Sequence, residues 1–211
     1  MATQTSCSQQ PKTIGEKPLE LENFDFNLNI ETFIPEKYYS QEYQRFLIPA
    51  NGKTVFIKRD IIYWDKINDR LFVEEIPENA KWIFYKDVGN TSDDCLAKYG
   101  EFPFRNVGFA VSLDNKIMAV GTTTPFEFKK ETNDNFIQLL TDKYGKYRIV
   151  DTGKGLTYQP TSYTIYRWEL NDRIIHYWEY RNAEETNYAG FFYIYKKEYA
   201  DKIMKTFEKN F

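Results

Sequence analysis

The sequence predicts an α+β fold, a largely antiparallel sheet of about seven to nine strands with about three or four helices covering one face. Three observations carry this expectation. Tyr, Phe and Trp make up 18% of the chain, and many of them fall in alternating runs typical of half-buried strands. Asn-Asp or Asp-Asn pairs interrupt those runs where a hairpin has to reverse, because both residues tolerate left-handed backbone. Between the runs lie segments whose apolar residues recur at helical intervals, with Thr near one end and Gly at the other.

Taken in order, residues 1–22 read as a leader and flexible linker, and residues 23–211 as the globular domain. "FDFNLNIETF" (24–33) alternates Phe24, Phe26, Leu28 and Ile30 with Asp25, Asn27 and Asn29, the pattern of a half-buried strand. "PEKYYSQEYQRFL" (35–47) opens with Pro and spaces Tyr39, Tyr43 and Phe46 as a helix would. "NGK" (51–53) is a turn, and Asp114-Asn115 centres a hairpin within 106–122. Thr91 and Thr132 stand where N-caps of two further helices would, while Gly100 and Gly145 stand where helices end in left-handed backbone.

Two segments look alike. "IIYWDKINDRLFVEE" (61–75) and "IYRWELNDRIIHYWEY" (165–180) each place a Trp just ahead of Asn-Asp-Arg and a β-rich apolar run behind it. Asn68-Asp69 and Asn171-Asp172 are the expected turns. Each hairpin follows a predicted helix (35–47 or 132–145) and precedes a third strand, "KWIFYKD" or "GFFYIYKK", and then another helix, "SDDCLAKY" or "KEYADKIMKTFEKN". The order helix, two strands, strand, helix therefore predicts a duplication spanning about 35–100 and about 132–209.

Composition excludes several function classes. The 28 basic and 31 acidic residues are scattered and leave a formal net charge of −3. No basic stripe marks a nucleic-acid partner, which would need a clustered positive field. With one histidine, His176, schemes that need two or more imidazoles fall away. No GxSxG, HExxH, Walker loop or GxGxxG is present. "TGKGL" (152–156) reads as a loop, because it lacks the spacing of a phosphate cradle. No cofactor, metal or catalytic residue is nominated. A glycosidase-like acid pair would need only two carboxylates at the right separation. Glu184-Glu185, adjacent in sequence, point apart on extended backbone and are not such a pair.

The two cysteines lie far apart in the chain. Cys95 reads as a small buried hydrophobe. Cys7 follows Thr5 and Ser6 and precedes "SQQPKTIGEKP", a polar stretch with Pro and Gly that reads as a tether. Thr5-Ser6-Cys7 resembles the cleavage region of bacterial lipoproteins, in which a signal peptidase cuts before a Cys that carries lipid; Gln4 stands where that pattern favours Leu. The resemblance implies a lipid on Cys7 as the sole membrane attachment and a place in the periplasm or on the outer membrane. Without it the expectation is a cytoplasmic protein.

The hairpin at 165–180 supplies the candidate binding site. A two-residue turn at Asn171-Asp172 sets Arg167 opposite His176, Trp168 opposite Ile175 and Ile165 opposite Trp178. One face then carries Tyr166, Trp168, Leu170, Ile175 and Tyr177, suited to the core. Its other face carries Arg167, Glu169, His176, Trp178 and Tyr180, a mixture of charge, imidazole and aromatic rings suited to a protein or carbohydrate ligand. The function expected is that of a non-enzymatic, exported or lipid-anchored binding protein. The alternatives are an immunity-type inhibitor of a secreted toxin and an acid-based hydrolase of sugars or cell-wall material.

Overall fold

The computed structural model describes residues 18–30, 33–50, 53–63, 80–87, 95–112, 114–125, 128–154, 161–184 and 186–210. Cys7 with the rest of 1–17, the Asn68-Asp69 turn, Thr91 and the centre of the "NGK" turn lie outside these residues. The strands are β1 (Leu19–Glu20), β2 (Tyr39–Ser40), β3 (Arg45–Ala50), β4 (Lys53–Tyr63), β5 (Ala80–Asp87), β6 (Ala97–Tyr99), β7 (Phe102–Phe104), β8 (Asn106–Ser112), β9 (Ile117–Thr123), β10 (Arg148–Lys154), β11 (Thr161–Glu169), β12 (Arg173–Asn182) and β13 (Tyr188–Lys196). The helices are α1 (Lys130–Tyr144) and α2 (Lys197–Asn210).

Ten strands form one antiparallel sheet in the order β10-β11-β12-β13-β9-β8-β5-β4-β3-β2. Its centre is the β8–β9 hairpin, reversed at Asn115 in left-handed backbone (φ 63°). A meander of four strands flanks that hairpin on each side. A second, three-stranded sheet (β1-β6-β7) packs against the large one through Leu19, Ala97, Tyr99 and Phe104.

This architecture corrects the α+β expectation. The chain is mostly β, with two helices among the described residues rather than three or four. Residues 35–47 form a short 3-10 turn (Glu36–Tyr38) and then the β2–β3 hairpin. Tyr39 and Phe46 meet as cross-strand partners, their rings 5.2 Å apart edge to face, instead of along one helix face. An aromatic spacing of seven satisfies either geometry, and β propensity together with sheet pairing decides it. Within 92–99, the described residues likewise run into β6 rather than a helix. Gly100, at φ 56°, makes the turn into β7. The alternating segment 24–33 is not a strand. Asp25 accepts a hydrogen bond from the Asn27 backbone N–H at 2.8 Å, a local turn that competes with extended pairing. Phe24, Ile30 and Phe33 are nonetheless buried. Residues 35–47 therefore do not supply the helix that the predicted duplication places ahead of its first hairpin, and most of that hairpin lies outside the described residues.

The central strands carry packed side chains on both faces. On one face Phe109, Val120, Ile194, Ile175 and Trp168 form a row across five neighbouring strands. Helix α1 lies on this side and buries Asn133, Phe136 and Leu140, three and four residues apart. Thr132 does not cap it, since the helix starts earlier, but Gly145 ends it as expected with φ 83°. Phe136 sits among Tyr99, Phe102, Phe104, Tyr177 and Phe192 at centroid distances of 5.0–5.8 Å. Burial of one such ring contributes about 1.5–3 kcal/mol. On the opposite face the row Ala110, Ala119, Tyr195 and Ile174 receives Ala200, Ile203 and Met204 of α2.

Candidate functional site

The hairpin at Asn171-Asp172 has the register its turn dictates. Arg167 pairs with His176, Trp168 with Ile175, Ile165 with Trp178 and Tyr163 with Tyr180. Arg167, Glu169, His176, Trp178 and Tyr180 therefore share one face of the sheet, the side on which α2 packs. That helix lies over β9, β12 and β13 and divides the five residues into separate zones.

Near the turn, Glu169 accepts from Arg148 at 3.2 Å and Arg167 at 3.1 Å, and Lys197 lies 3.4 Å away. The hydrogen bond with Lys197 and the Arg167 charge hold its carboxyl below the usual carboxylate range. Its charge is already matched within the fold. His176 is 4% exposed and its ring meets Tyr195 edge to face at 5.6 Å. The structure thus places the lone imidazole in the α2-side core, away from any surface ligand.

Trp178 packs with Phe191 against the α2-side cluster, and with Tyr180 it belongs to a row of half-buried rings. Tyr163 and Trp178 are 5.9 Å apart and inclined by 22°, and Trp178 and Tyr180 are 6.1 Å apart and inclined by 20°. Phe191 closes against Tyr180 at 5.4 Å, edge to face. At the outer end, the Tyr163 hydroxyl donates to Asp151 Oδ2 at 3.0 Å, which raises the pKa of that hydroxyl. The Tyr163 ring lies across Gly153 of β10, where a Cβ would come within 2.7 Å of it. Two buried donors, Arg167 Nε and Trp178 Nε1, have no hydrogen-bond partner among the described residues.

Comparison with known proteins returns no matching family, no matching curated protein and no matching solved structure. The chemistry of the site rests on its own geometry.

Tyr163, Phe191 and Asp151 join the residues that the sequence nominates. Tyr163 was within reach, because carrying the hairpin register one pair further sets it opposite Tyr180. Phe191 and Asp151 depend on the pairing of β13 and β10 and left no local signal.

Two other polar features compete for attention. Glu179, on the α1 side, is 3% exposed and is held by Asn133, Tyr166 and Arg181. Each partner there comes from the fold itself. A surface depression of about 270 Å³ is lined by Glu22, Asn23, Lys143, Tyr144, Leu170 and Arg173. Its two cations are matched, Lys143 by Glu22 at 2.7 Å and Arg173 by Asp172 at 2.7 Å. Among the described residues no cluster of His, Cys, Asp or Glu could hold a metal ion, and no helix is long and apolar enough to cross a membrane.

Proposed function

We propose that the chain is a non-enzymatic binding protein whose protein ligand docks on the Tyr163–Trp178–Tyr180 face beside α2. The observation that supports this is the near-parallel packing of the Tyr163 and Trp178 rings on a half-buried sheet surface, with the Arg167 guanidinium on the adjoining pair of β11 and β12. Tyr, Trp and Arg are the residue types that dominate binding energy at protein interfaces, and a sheet holds them with little entropy left to lose. In this reading the domain is exported and anchored by a lipid on Cys7, a proposal that rests on Thr5-Ser6-Cys7 and the polar stretch behind it.

The test is affinity capture from envelope proteins by the immobilised domain, compared with Tyr163→Ser and Tyr180→Ser variants. A species retained by the wild-type domain and lost from both variants at unchanged melting temperature supports the reading. Equal retention by all three, or loss that tracks falling thermal stability, assigns these rings to packing instead. The anchor is tested separately by intact mass of the membrane fraction from cells carrying the native upstream codons. An acylated species beginning at Cys7 supports it, and an unmodified soluble chain that keeps Ser6 overturns it.

A further inference from the structure

We infer that two copies of this chain pair edge to edge through β10, in one defined antiparallel register, to make a continuous sheet. Strand β10 ends the ten-stranded sheet and pairs with β11 along one side. Residues 148–152 are all exposed. Ile149 is 56% and Val150 42% exposed, and with Tyr43 they are the exposed large apolar side chains among the described residues. Two adjacent β-branched residues on an outer strand, beside outward-facing backbone donors and acceptors, form a template for another strand.

A bulge makes the charges of this strand self-complementary. Arg148 lies opposite Arg167, but the register shifts between Ile149 and Asp151, so that Asp151 lies opposite Ile165. In a regular strand, residues three apart point to opposite faces. The extra residue here brings Arg148 and Asp151 onto the same face, that of Tyr163 and Trp178. When Ile149 of one copy stands opposite Val150 of the other, Arg148 of each stands opposite Asp151 of its mate. The two-fold axis then runs perpendicular to the sheet, with the four apolar side chains at its centre and an ion pair on either side. Sliding the copies so that Asp151 faces Asp151 sets carboxylate against carboxylate and leaves Arg148 without an acidic residue opposite it, which disfavours that register. Arg148 already reaches Glu169, and its guanidinium keeps further N–H donors for a second carboxylate.

Sedimentation velocity on the full chain over a concentration series reads this directly. The wild-type protein is expected to form dimers in a concentration-dependent way, and Ile149→Lys to be monomeric at unchanged melting temperature. Arg148→Asp alone sets carboxylates against each other, and Asp151→Arg alone sets guanidiniums against each other, so each is expected to be monomeric. Mixing these two variants restores both ion pairs and is expected to restore dimers. A wild-type chain that stays monomeric up to about 100 μM overturns the inference. So does an Arg148→Asp chain that dimerises as the wild type does, or a mixture that stays monomeric.

Discussion

Asn133 Nδ2 donates to Glu179 Oε2 at 2.6 Å, tying helix α1 to the inner face of the sheet where both side chains are almost fully buried. The Asn133 Oδ1 accepts from the Tyr177 hydroxyl at 2.6 Å, so one amide satisfies a carboxylate and a phenol together. Asn133→Ala leaves both without that partner and is expected to cost about 2–4 kcal/mol. Urea unfolding at neutral pH measures it, with Asp134→Ala on the exposed side of the same helix as the control expected to lie within about 0.5 kcal/mol of wild type. Equal effects would mean that helix propensity, rather than the buried pair, governs the result.

Alkaline stability follows from three tyrosines. Burial raises the hydroxyl pKa of Tyr99, Tyr166 and Tyr177, with the Tyr144 hydroxyl adding to it at Tyr99 and the Glu179 carboxylate at the other two. The unfolded chain releases these protons near pH ~10 while the folded chain keeps them. Stability is therefore fully present below that pH and falls above it, by about 1.4 kcal/mol per pH unit for each such tyrosine. Urea midpoints taken from about pH 8 to about pH 11 should stay level and then drop. Tyr99→Phe should make the drop shallower, and an unchanged slope would remove that hydroxyl from the account.

Two glycines separate packing from recognition. At Gly190 an added Cβ would collide with the Tyr177 ring and hydroxyl, both held in the core. Gly190→Ala is expected to destabilise by about 1–3 kcal/mol. At Gly153 the neighbour is the Tyr163 ring on an outer part of the sheet, which can swing away. Gly153→Ala should leave the melting temperature close to wild type while shifting the Trp178 emission, because the stacked neighbour moves. A large loss of stability from Gly153→Ala would contradict that distinction.

Cys95 offers a chemical probe of the small sheet. Burial pushes its thiol pKa up, and Sγ lies 2.8 Å from the Ala97 carbonyl oxygen. Since the thiolate is the nucleophile, alkylation of Cys95 by iodoacetamide at neutral pH should be slow in the folded protein and fast in urea. Peptide mapping distinguishes it from Cys7, and equal rates at Cys95 in both conditions would show that this region opens readily.

The parts of the fold that could be read from sequence are those set by local rules. A two-residue Asn171-Asp172 turn fixes the whole β11–β12 register, and Phe136, Leu140 and Gly145 mark the inner face and the end of α1. Where two geometries satisfy one pattern, long-range pairing decided. Tyr39 and Phe46 suit a helix or a hairpin, and the strand β4 that receives β3 lies further along the chain. The candidate site divides in the same way. Sequence placed its five residues on one sheet face, but the burial of His176 comes from α2, more than a full strand later in the chain. Tyr163 and Asp151 gain their roles only once β10 is laid beside β11.

The placement of β9 next to β13 has a kinetic consequence. These strands pair from Thr123–Phe191 to Ala119–Tyr195, yet α1 and the strands β10, β11 and β12 all lie between them in sequence. The hairpins β8–β9, β11–β12 and β12–β13 close short loops and can form early, whereas joining β9 to β13 must first meet the entropy of a long closure. Refolding is therefore expected to be limited by docking of the β10–β13 meander onto the central hairpin. Until that docking occurs, β9 and β13 each expose an unpaired edge, and the balance between folding and aggregation is set at this one seam.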